Sequence, residues 1–215
     1  MKAKAKGGER RKAAGTGLHE AEATTAADED ATTAADEDAT TVEDDAPAAA
    51  PSGARLDACP GCGARVPDSG ATPNPEVNAS PGCWAAYGDV LARQYGEWGN
   101  PPIHRLTVDT YAAQHPGKPS RKSTQSVALH LIGLYLALER GTEPRRISQE
   151  TGRMVADPSA FQWLEPPPPA GQLTIMDVVG AATLKEHSAR VRRWALSVWE
   201  AWADHHDTIR RWAGG

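Results

Sequence analysis

The chain of 215 residues has a net charge of −5 and an unusual aromatic set, seven Trp and four Tyr against one Phe. No apolar run reaches the roughly eighteen residues a bilayer span needs, and the N-terminus lacks the apolar centre of a signal peptide, so a cytoplasmic protein with no membrane segment is expected. Three cysteines, an odd number with no export signal, argue against a disulfide framework and toward metal or thiol chemistry.

The charge is unevenly placed. Residues 1–50 hold six basic and twelve acidic side chains and no aromatic residue, too little apolar surface to offset the entropy of ordering them. The octapeptide ATTAADED occurs at 23–30 and again at 31–38, a repeat too short and acidic for a solenoid unit. Residues 1–52 are therefore expected to be a disordered, low-complexity acidic tail, whose basic opening MKAKAKGGERRKAAG is compensated by neighbouring acids. Residues 53–215 carry 17 basic against 16 acidic side chains and make one domain of ordinary size.

Within that domain, residues 53–84 come first. CPGCGA opens at Cys59, and SPGCW at Ser80–Trp84 nearly repeats it, with a serine where a fourth cysteine would stand. From Pro81 to about Tyr95, Trp84, Tyr87, Val90, Leu91 and Tyr95 recur at helical spacing. Ser80 before Pro81 then reads as an N-cap with proline at the first helical position, so the serine caps a helix and need not be a degenerate ligand.

A second helix is expected from Ile103 to about His115, stopped by Pro116. His104, Val108, Tyr111 and His115 share one stripe of it, but the two histidines stand about 16 Å apart at 1.5 Å per residue and cannot bind one ion. A third helix, about Thr124 to Arg140, is apolar on nearly every side and should be central. Its one soft face carries Ser126, His130, Gly133 and Ala137, small enough for another helix to come close, with His130 in that contact. A short helical piece follows at 144–155. PPPP at 166–169 excludes both helix and sheet ladder and favours an extended path across the surface or against tryptophan. Thr183 and Glu186 read as a capping box that opens a last helix running to Trp212, with His205 on its buried stripe and His206 at the flank. The expected fold class is mostly α: a helical bundle, residues 85–215, with an N-terminal zinc-knuckle segment.

CPGCGA, ASPGCWAAYG, HRLTVDTYAAQHPG, QSVALHLIGL, WLEPP and WALSVWEAW, in this order, resemble a bacterial family known as domain of unknown function 5946. The resemblance extends over most of residues 55–212 and implies one intact domain, without supplying an activity.

The cysteines carry the chemistry. Cys-Pro-x-Cys-Gly is a zinc-ribbon knuckle, a tight turn that points two thiolates and backbone N–H donors at one ion. Cys83 falls in the first turn of a helix, where the dipole favours a thiolate. Cys59, Cys62 and Cys83 suit a tetrahedral zinc that lacks a fourth ligand. An antiparallel pairing of the first two helices would supply His115 and an angled crossing His104; Asp57, His130 or an open water position are the remaining options. His130 reads otherwise as a hydrogen-bonded core residue, and His205 and His206 as packing and surface. Asp109 and Tyr111 have no partner that the sequence places.

Three functions follow. Zinc is structural, in a Cys₃His site of a helical binding or interaction module with a protein or small-molecule partner; or zinc keeps an open position in a hydrolase-type enzyme with a helix-borne histidine as base; or the thiols are redox-active. Nucleic acid is a poor partner, because Lys118, Arg121, Lys122, Arg145 and Arg146 make at best a modest basic cluster on a near-neutral domain.

Overall fold

A computed structural model describes residues 56–68, 70 and 76–214. The acidic-tail reading of residues 1–52 lies outside them. The described residues open with a small antiparallel hairpin, β1 (Leu56–Ala58) and β2 (Arg65–Pro67), in the register Leu56 to Pro67, Asp57 to Val66 and Ala58 to Arg65. Among the described residues six α-helices follow: α1 (Pro81–Gly96), α2 (Ile103–Gln114), α3 (Arg121–Leu138), α4 (Pro144–Met154), α5 (Leu184–Ala201) and α6 (His206–Trp212). The fold is mostly helical, as expected. No helix among the described residues is long and apolar enough to cross a membrane.

Caps fix most boundaries. The Ser80 hydroxyl accepts from the Cys83 N–H at 3.3 Å and Pro81 occupies the first turn of α1. Ser120 does the same for α3, accepting from the Ser123 N–H at 3.1 Å, so this helix starts at Arg121, a turn earlier than the apolar pattern indicates. Thr183 caps α5 by accepting from the Glu186 N–H. The Glu186 carboxylate, however, reaches one residue further back, to the Ala182 N–H at 2.9 Å.

α2 packs mainly on α3 and α5, and α3 also carries α4 and α6. Val127, Leu131, Ile132, Leu134 and Tyr135 bury α3 in the core, but the helix is not enclosed all round: Ser126 is exposed and Leu129 and His130 are half-buried. The soft face does receive another helix. A Cβ added at Gly133 would lie 2.2 Å from Asp109 Oδ2, so the glycine is what lets a carboxylate of α2 enter the core.

The expected final helix to Trp212 is broken. α5 ends at Ala201, a 3₁₀ turn spans Ala203–His205, and α6 resumes at His206. The turn keeps two separated anchors, Trp202 and Ile209, fully buried and tips His205 off the apolar stripe, where its Nε2 meets the Glu165 carbonyl at 3.0 Å. His206 stacks flat on Trp199 at 3.8 Å between ring centroids.

Trp194 of α5 and Trp202 just past its end also set the end of α2. The Trp194 indole donates to Gln114 Oε1 at 2.9 Å, and the Trp202 indole donates to the Ala113 carbonyl at 3.2 Å, an acceptor left over where the helix stops. Gln114 in turn donates to the carbonyls of Ala170 and Leu173, beyond the proline run. These bonds hold the C-terminus of α2, and with it His115, in one place.

Candidate metal centre

Three segments converge below the hairpin. The knuckle between β1 and β2 closes with the Gly63 N–H on the Cys59 carbonyl and the Cys59 N–H on the Ala64 carbonyl, both at 2.8 Å, which brings Cys59 and Cys62 to one side. The N-terminus of α1 supplies Cys83. α2 runs back toward the start of α1 and delivers His115 at its C-cap, the end that an antiparallel pairing favours.

Cys59, Cys62, Cys83 and His115 place their ligand atoms within 4.8 Å of one another, a cluster able to hold a metal ion. Cys62 Sγ lies 3.8 Å from Cys83 Sγ, and Cys83 Sγ lies 3.4 Å from His115 Nε2. All four residues are buried, with exposures of 2, 4, 0 and 1%.

The surroundings orient these donors. His115 Nδ1 donates to the Tyr111 carbonyl at 2.9 Å, which leaves the Nε2 lone pair facing the sulfurs, the tautomer a metal requires. The Tyr111 hydroxyl donates to Cys83 Sγ at 3.7 Å, and the Ser80 N–H donates to Cys59 Sγ at 3.4 Å. Tyr111 is sandwiched, stacked on Tyr87 at 3.9 Å and on His115 at 4.1 Å. Burial, and next the charge of Cys83, push its phenol above the ordinary range, so it remains a donor.

The thiols act on one another. Cys59 is drawn below the ordinary thiol range by side-chain hydrogen bonds from Cys62 and then Cys83. Cys62 is pushed up to about 12, chiefly by Cys59, and Cys83 is likewise pushed up, by Cys59 and then Cys62. Three thiols in contact do not ionise together unless a cation compensates them, and a metal at their centre deprotonates all three.

Both Pro-Gly-Cys copies need their glycine. At Gly61 a Cβ would lie 2.3 Å from the Asn78 carbonyl and 2.6 Å from His115 Cδ2, and at Gly82 it would lie 2.1 Å from the Pro67 carbonyl. The repeated tripeptide is thus the signature of two backbones pressed against the site, which ligand counting alone overlooks.

The serine at position 80 follows from the same geometry. Its hydroxyl caps α1 and its backbone, not its side chain, touches Cys59. We therefore expect Ser80→Ala to keep a full metal complement while costing about 1 kcal/mol, a fall of about 2–4 °C in melting temperature; elemental analysis and a thermal melt on one preparation read both.

His104 is not part of the cluster, which corrects the angled-crossing alternative. Its Nδ1 donates to Gln94 Oε1 at 2.7 Å, and its Nε2 accepts from the Tyr95 hydroxyl at 2.9 Å. Gln94, fully buried, turns its amide to Thr107 Oγ1 at 2.8 Å and His187 Nε2 at 2.7 Å. Desolvation lowers both imidazoles below the ordinary histidine range, so they serve as neutral members of a polar chain between α1, α2 and α5. Nothing in the local pattern marks this chain in advance, since its members are scattered from position 94 to 187. Asp57 lies in β1 opposite Val66 and His130 on α3, both outside the cluster.

No curated protein and no solved structure matches the chain. Residues 57–203 match the family described as Family of unknown function (DUF5946), a span that contains all four converging residues and most of the helical bundle. The chain belongs to that family.

Proposed function

We propose that the protein binds zinc in a closed, structural Cys₃His centre formed by Cys59, Cys62, Cys83 and His115. The observation that carries this reading is the edge lengths of the cluster. Zn–S bonds of about 2.3 Å at tetrahedral angles put sulfurs about 3.8 Å apart, and a Zn–N bond of about 2.0–2.1 Å puts nitrogen about 3.5–3.6 Å from sulfur. The Cys62–Cys83 separation of 3.8 Å matches the first, and the Cys83–His115 separation of 3.4 Å comes within about 0.2 Å of the second. Four buried protein donors leave no position for water, which favours a structural site over a hydrolytic one. Thiolate-rich tetrahedral sites also select zinc over harder cations.

In this reading zinc fastens the hairpin to α1 and α2. Two three-residue strands are too short to be stable alone, so the metal and the buried Val66 hold them in place. Residues 53–215 then act as one domain, a helical module whose task is to bind a protein or small-molecule partner. The three free thiols suit a reducing compartment, the cytoplasm.

The test is elemental analysis of untagged protein paired with X-ray absorption at the edge of the metal found. One zinc per chain with three sulfur and one nitrogen scatterers is the expected result. Three sulfurs and an oxygen would indicate an open position and a catalytic metal, and a metal-free chain would return the cysteines to thiol redox chemistry.

A further inference from the structure

A second group of functional side chains lies away from the cysteines. A cleft of about 500 Å³ opens between α2, α3 and α4, lined among others by Arg105, Lys122, Ser126, His130, Ser148 and Gly152. Behind it stands Asp109, fully buried. Its Oδ1 accepts from His130 Nδ1 at 2.8 Å and its Oδ2 from Arg105 Nε at 2.7 Å. Arg105 continues to Ser148 Oγ at 3.2 Å and Thr151 Oγ1 at 3.4 Å.

Three properties of this group point to a ligand. A buried ion pair contributes little net stability, and an apolar replacement of similar volume often does as well, so Asp109 and the glycine that admits it need another reason. Asp109 supplies one by fixing the imidazole: in the neutral ring with its proton on Nδ1, the lone pair of His130 lies on Nε2, which has no partner among the described residues. Among those residues no buried side-chain nitrogen or oxygen lacks a hydrogen bond, so this acceptor is open to the cleft. Finally, the lining includes the cations Arg105 and Lys122 but no Asp or Glu. Arg105 spends three of its five N–H groups on Asp109, Ser148 and Thr151 and retains two. Lys122 pairs with Glu76 at the exposed rim.

We propose that the cleft is a binding site for a small-molecule anion that also carries a hydroxyl group, a hydroxylated phosphate monoester or a hydroxy acid. The charged oxygens lie against Arg105 and Lys122, and the hydroxyl donates to His130 Nε2. Asp109 is the positioning residue, holding the imidazole tautomer and the guanidinium at once. Val108, Leu129 and Val155 offer apolar wall for the remainder of a small organic molecule. This site is independent of the metal centre and stands whether or not zinc is bound there.

The experiment is a titration of the isotopically labelled full chain with inorganic phosphate, with lactate and with acetate, following the imidazole resonances by NMR. Phosphate or lactate is expected to shift the His130 signals saturably in the millimolar range while those of His205 and His206 stay in place. Acetate, which has no hydroxyl when ionised, should bind about tenfold more weakly. Gly152→Trp should abolish the shift without unfolding the protein, because a side chain at Gly152 projects into open space; Arg105→Gln should weaken binding at least about tenfold. Absence of a saturable His130 shift with all three probes would overturn the site. Acetate binding as tightly as lactate would overturn the role given to Nε2, and undiminished binding by Gly152→Trp would move the ligand out of the cleft.

Discussion

Cys83→Ser should leave the purified protein with little or no bound metal and a melting temperature lower by roughly 10 °C. The substitution is nearly isosteric, so packing changes little at a residue that is fully buried; what is removed is the sulfur that lies 3.8 Å from Cys62 Sγ and 3.4 Å from His115 Nε2. Structural zinc contributes on the order of 10 kcal/mol to the folding of small domains. With the ion read as the proposed structural zinc, the helical core forms most of the fold without it, so a loss of about 3–5 kcal/mol is expected, each kilocalorie worth about 2–4 °C at this size. Wild-type protein treated with a strong chelator should melt close to the variant. Metal content and melting temperature both unchanged in Cys83→Ser would remove the three-thiolate site.

The second large effect is expected at Gly133, where a single methyl group meets a buried carboxylate. In an exposed helix Gly→Ala gains about 1 kcal/mol. At this position the new Cβ would lie 2.2 Å from Asp109 Oδ2 and 2.7 Å from its Cγ. The carboxylate must then leave His130 and Arg105, or α2 must separate from α3. Either outcome combines overpacking with a broken buried charge network, and a net loss of about 3 kcal/mol follows. Gly152→Ala, on α4 with nothing in the way, serves as the opposite control and should be neutral or stabilising. Chemical denaturation of the two variants separates the cases, and equal stabilities would show that α2 and α3 yield easily at their closest approach. Metal content should be unaffected in both.

The contrast between these two positions shows which part of the molecule its sequence discloses. Three helix starts were legible because their signals are local: Ser80 with Pro81, Thr183 with Glu186, and Pro144 each carry theirs within a turn. The three cysteines were legible for the same reason, whereas the short connection between two helices left His115 and His104 as alternatives that only the packing separates. The hairpin was not, because strands of three residues are too short to show a period of two. The break after Trp202 was hidden too, since apolar spacing continues through it while the backbone pauses to keep Trp202 and Ile209 buried together. Asp109 and Tyr111 found partners that only tertiary structure reveals, although Arg105, four residues before Asp109, was a usable hint. His104 was a plausible ligand on spacing alone; the buried amide of Gln94, drawn from a different helix, decides against it.

The four converging residues come from a turn, a helix start and a helix end, and 32 positions separate Cys83 from His115. In the proposed reading an ion there is a reversible cross-link across three stretches of chain, and its strength depends on supply. A ligand that binds only the folded form adds about 1.4 kcal/mol for each tenfold rise in its free concentration above the dissociation constant. The fraction of this protein that is fully assembled would then follow the free metal of its surroundings, and scarcity would first release the hairpin while the tryptophan-clamped helices remain folded.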